Sequence, residues 1–145
     1  MNNDRKNLKD LSIIILVFAA ISLVRIIVDL CVFGLNASNV PVEGLTEDMV
    51  RTATIIAFVL ALLLLIPDVY IGIRGIKEAN NPTGKKGHIT WALVLVILSL
   101  IATISAVIDM FNGFDVGKLL EVIDVAIDVA LLYMYYVTAK KVANA

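Results

Sequence analysis

Residues Ile89–Phe111 read ITWALVLVILSLIATISAVIDMF, 23 positions with no charged side chain before Asp109. The hydrocarbon core of a bilayer is crossed by about 20 helical residues. The stretch therefore reads as a membrane-spanning helix, and three more of similar length surround it: Leu11–Phe33, Thr52–Ile73 and Leu119–Thr138. Each of these three carries ionised residues inside it, most of all the last, where Glu121, Asp124 and Asp128 interrupt the apolar run. Composition agrees with the membrane reading. The chain is 60% hydrophobic and 17% charged, against about 45–50% and about 25% in soluble domains. A domain of 145 residues has too little interior to hide that much apolar surface from water. The expected fold class is all-α, an integral membrane four-helix bundle forming one domain over residues 1–145.

Turn chemistry supports the boundaries. Thr46 followed by Glu47 and Asp48 reads as an N-cap with acids in the first turn of the second span. Asn80, Asn81, Pro82 and Gly84 break helix between spans two and three, and Asn112-Gly113 closes span three. The first segment is longer than the apolar core of a signal peptide, about 7–15 residues, and no A-x-A site follows, so it reads as a retained anchor. The triplet Asn36-Ala37-Ser38 matches a glycosylation sequon and is read as a chance match.

Lysine and arginine set the expected orientation. Arg5, Lys6, Lys9, Arg74, Lys77, Lys85, Lys86, Lys140 and Lys141 fall on one side, and Arg51 and Lys118 on the other. The excess places both termini in the cytoplasm, in a bacterial plasma (inner) membrane. Trp91, Tyr70, Tyr133, Tyr135 and Tyr136 fall at the same inner boundary, where amphipathic rings settle.

Several function classes are disfavoured. One cysteine, Cys31, forms no internal bridge, and one histidine, His88, makes no His-rich metal site. The net charge of −1 offers no field for nucleic acid. No nucleophile-elbow, metalloprotease, P-loop or dinucleotide motif occurs. Enzyme activity and a cofactor are not expected; a metal is left open.

What remains is charge inside the membrane. Ionisable side chains there are expensive and face a bundle interior, a water-filled cavity or a partner. Arg25 and Asp29 are i, i+4 neighbours, as are Asp124 and Asp128, and Glu121 extends the second pair into an acidic stripe. At 1.5 Å per residue Arg25 and Asp128 lie about 12 and 13.5 Å from the outer boundary, so antiparallel spans one and four bring them level. An Arg25–Asp128 ion pair is expected, with Asp29 and Asp124 above it. Asp68 follows Pro67, which removes a helix donor and kinks the span. That pair reads either as a hinge or gate, or as an acid reaching toward Arg74. Ser99 and Thr103, Ala102 and Ala106, and Gly72 and Gly75 supply smooth faces for helix contact.

Two functions fit these residues. One is proton- or cation-conducting or coupled transport through Asp124 and Asp128, with Asp29 nearby and Arg25 as counter-charge, in a homo-oligomer because four helices leave little room for a private pathway. The other is a non-enzymatic interaction protein, an accessory subunit or immunity-type factor whose acids pair with a membrane partner.

Overall fold

The computed structural model describes residues 1–34 and 44–145, and over these the chain is four antiparallel helices with no strand. Helix α1 is Asn3–Asp29, continued by a π-helical turn over Leu30–Gly34; α2 is Glu47–Asn80, α3 is Gly87–Phe111 and α4 is Val116–Asn144. All four are long and apolar enough to cross a membrane, so the chain is a multi-pass membrane protein. The sequon at Asn36 lies outside the described residues.

The helices start where side chains can replace missing backbone partners. Asn2 accepts from the Asp4 amide at 2.7 Å, Thr46 from Met49 at 3.3 Å, and Asp115 from Lys118 at 2.8 Å. The expected Thr46 cap is thus present. Asp115 shortens the connection between α3 and α4, which Lys118 also braces by meeting the Asp109 carboxylate at 3.3 Å. The expected breaks are displaced at the other end. Asn80 is still helical, and the turn runs from Asn81 to Lys86, with Gly84 at φ +70°. A helix of 34 residues is about 51 Å long, well beyond the ~30 Å hydrocarbon core. Pro67 sits inside α2 without ending it.

The helices form a ring in chain order. Packing is most extensive between α1 and α2 and between α3 and α4. Both termini and the 81–86 turn share one end, here called proximal: Arg5 reaches the Ala79 carbonyl at the end of α2, and Lys86 and Asn144 line one crevice. The close-packed core lies in this half, built from Leu8, Leu11 and Ile15 of α1, Ile71 and Ala79 of α2, Ala92 and Leu95 of α3, and Leu132, Tyr135 and Ala139 of α4. Gly72 and Gly75 allow the approach. A Cβ at Gly72 would lie 2.6 Å from Leu16 Cγ, and one at Gly75 would collide with Ser12 Oγ and come within 2.8 Å of the Tyr135 ring. Tyr135 is therefore no interface ring: it is fully buried and donates to the Ile71 carbonyl at 2.7 Å, because Gly75 leaves it a slot. The distal half is different. No residue of α2 from Glu47 to Tyr70 is buried, and its apolar side chains, such as Ile56, Leu60 and Leu64, face outward, as lipid contact requires.

Candidate functional site

Midway along the bundle α1, α2 and α4 line one acidic cavity of about 200 Å³. Ser22 and Phe18 of α1, Asp68 of α2, and Asp124, Asp128 and Leu131 of α4 are among its walls. From α3, the Ser99 hydroxyl donates to Asp128 Oδ2 at 2.9 Å. Liquid water occupies about 30 Å³ per molecule, so the space suits a few waters or a partly hydrated cation. Asp124 and Asp128 are brought there by their i, i+4 spacing on α4, and Asp68 by the register of α2 above the Gly72–Gly75 contact.

The sequence-based expectations divide at this cavity. Asp124, Asp128 and Asp68 share it; Arg25 and Asp29 do not. The expected Arg25–Asp128 pair is absent. Arg25 instead meets Asp29 at 4.0 Å, with the two side chains 75% and 44% exposed, because one helical turn satisfies both without crossing the bundle. Depth was the wrong guide: two groups at one level still need the same azimuth. Asp68 does not reach Arg74 either, since Arg74 binds Glu78 at 3.2 Å. Pro67 lies beside the cavity wall at Asp68. Among the described residues none of the three cavity carboxylates has an ion-pair partner, and no three His, Cys, Asp or Glu side chains are grouped to hold a metal. Ser22 escaped the sequence reading, and Ser99 was read only as a small packing residue; a hydroxyl facing an acid on another helix leaves no mark in linear spacing.

A second polar assembly, also unforeseen, closes the proximal end. Glu78 is 3% exposed and lies beyond the apolar 52–73 stretch. Its carboxylate accepts from Arg74, from the Thr83 amide at 2.7 Å and from the Thr83 hydroxyl. Burial alone would raise this carboxyl, but the two Thr83 bonds and the charges of His88 and Arg74 outweigh it and hold the group below its ordinary value. Arg5 caps the same helix end, donating to the carbonyls of Ala79 at 2.7 Å and Asn80 at 2.6 Å, where a cation complements the helix dipole. His88, just ahead of the apolar 89–111 stretch, is 1% exposed and stands edge-on to Tyr135, ring centroids 6.2 Å apart. Burial lowers its basicity, and Arg74 adds to the effect against the opposing pull of Glu78.

No protein-family model, curated protein or solved structure matches this chain.

Proposed function

We propose that the chain carries protons or small monovalent cations across a bacterial plasma membrane, with the mid-bundle cavity as the binding station. The observation that supports this is the meeting of Asp68, Asp124 and Asp128 at one cavity with no basic partner among the described residues. Carboxylates facing a common space of low dielectric repel each other, and a proton or a cation entering it relieves that repulsion. The carboxylates of Asp68, Asp124 and Asp128 and the Ser22 hydroxyl line the space with hard oxygens. Among the described residues no three acids are grouped as a cage, an arrangement that suits a proton or a weakly held monovalent ion. The lysine- and arginine-rich proximal end faces the cytoplasm on this reading.

A second reading keeps one support of its own. The unburied length of α2 from Glu47 to Tyr70 offers a full helix face to a second copy or another membrane protein, and a partner's basic side chain would complete the acidic cavity.

Reconstitution into liposomes tests the first reading. Proton or monovalent-cation flux above protein-free vesicles, abolished by Asp128→Asn, is the expected result. Absence of flux for every ion tried, in protein shown to be folded and inserted, overturns it.

A further inference from the structure

At the proximal end a second cavity, about 570 Å³, opens between the end of α2 and the start of α3. Tyr70, Arg74, Lys85, Lys86, Gly87 and His88 line it. The acidic mid-bundle cavity shares none of these residues. Three cationic side chains line it; Arg74 is already paired with Glu78 at 3.2 Å, so Lys85 and Lys86, without an ion-pair partner among the described residues, carry the uncompensated charge.

The start of α3 adds donors. No side chain caps this helix, Lys86 standing at the capping position without a bond to offer. The first backbone bonds come from Ile89 and Thr90, which reach the Lys86 carbonyl at 3.0 and 3.1 Å. The amides of Gly87 and His88 precede them, and such amides are ready partners for an anion. Gly87 is tightly set under Tyr70, whose hydroxyl would lie 3.2 Å from a Cβ there.

His88 points independently to a ligand. It lines this cavity, it is 1% exposed, and neither ring nitrogen has a hydrogen-bond partner. Buried polar atoms are nearly always satisfied by protein or by something bound. The ring's one N–H, beside a cationic cavity and an uncapped helix start, finds its acceptor in a single anion.

We infer that this cavity binds a phosphate oxyanion, with Lys85 and Lys86 supplying the charge, the first amides of α3 and the His88 ring supplying hydrogen bonds, and the remaining volume taking the group esterified to the phosphate. The site lies just past the apolar ends at Ile73 and Ile89, the level of lipid headgroups, and basic pockets between membrane helices hold anionic headgroups elsewhere. A soluble phosphate ester would use the same contacts.

The full chain in non-ionic detergent, titrated with dioleoyl-phosphatidylglycerol and followed by native mass spectrometry and by fluorescence of Trp91, the one tryptophan, tests the inference. Saturable binding is expected. Lys85→Gln with Lys86→Gln should weaken it about tenfold or more. Lys6→Gln with Lys141→Gln removes the same charge from the same end and should change it by no more than about twofold. Both lysine pairs are exposed, so neither double variant threatens folding. Competition with inorganic phosphate separates the sources: retention of the lipid places the ligand in the bilayer, and its displacement places it in the aqueous pool, both supporting a phosphate site. Equal weakening by the two pairs, or no saturable binding of either probe, overturns the inference. Neither result bears on ion flux through the acidic cavity.

Discussion

The Ser99 hydroxyl reaches from α3 to the Asp128 carboxylate on α4 at 2.9 Å, and among the described residues it is the one side-chain hydrogen bond that fixes an acid of the mid-bundle cavity. It orients Asp128 without neutralising it. Ser99→Ala frees the carboxylate's rotamer while leaving its charge, so it should slow ion flux by about two- to tenfold, as the loss of one hydrogen bond of about 0.5–1.5 kcal/mol allows. Asp128→Asn should abolish flux. Liposome flux for the two variants side by side gives the ordering; equal loss in both would mean that the orientation matters as much as the charge.

Gly75 makes the tightest approach of the described glycines. Gly75→Ala drives a methyl group into Ser12 and the Tyr135 ring, and overpacking of this kind destabilises by about 1–3 kcal/mol. Tyr135→Phe keeps the ring and loses only the bond to Ile71, about 0.5–1.5 kcal/mol. Thermal unfolding in detergent should therefore rank wild type above Tyr135→Phe and Tyr135→Phe above Gly75→Ala.

Acid should loosen the proximal end in two stages. His88 titrates lower in the folded chain than its ordinary 6.5, so below that pH the unfolded state takes up more protons and stability falls with pH. Glu78 is likewise held below its ordinary 4.5. Its contribution is complete above 4.5 and is lost as pH falls through the lower folded value. Glu78→Gln should remove the lower stage and cost about 1–3 kcal/mol at neutral pH. Stability against pH, wild type minus variant, isolates that stage.

His88→Leu should separate stability from binding. The ring nitrogens have no partner, and replacing an unsatisfied buried polar group with an apolar one of similar size is neutral or favourable. The variant should be at least as stable as wild type without ligand, lose the upper acid stage, and bind phosphatidylglycerol less tightly. A thermal scan with and without lipid reads all of this except the acid stage, which needs the same scan across pH.

Much of the architecture was legible in one dimension. Span lengths depend only on hydrocarbon thickness, and the Thr46 cap only on local backbone bonds, so both follow from runs and single residues. The site was legible in part. Asp124 and Asp128 declare themselves by spacing on one helix, whereas their meeting with Asp68, Ser22 and Ser99 depends on how each helix is rotated, which a run of Leu, Ile and Val hardly encodes. Arg25 was misassigned for that reason: two residues at equal depth suggested a pair, and the intrahelical neighbour Asp29 took it. Nothing in the linear sequence marks Glu78, and His88 stands out only as the single histidine; the close approach at Gly72 and Gly75 is what turns that region into an interior.

Helix α2 is held over its last ten residues, Ile71–Asn80, where Ile71, Gly72, Gly75, Glu78 and Ala79 are all buried, and it has no buried residue over the preceding stretch to Glu47. Over that stretch it leans on α1 along one side, with Leu62, Leu65, Ile66 and Val69 facing Leu16, Ala19, Ala20 and Leu23 across a shared crevice. Mechanically it is a beam clamped at its base and propped along one flank, so it yields most easily away from α1. Beside the clamp, at Pro67-Asp68, proline has already removed a backbone bond. Bending of the outer length is thus felt first at the one residue that α2 contributes to the acidic cavity.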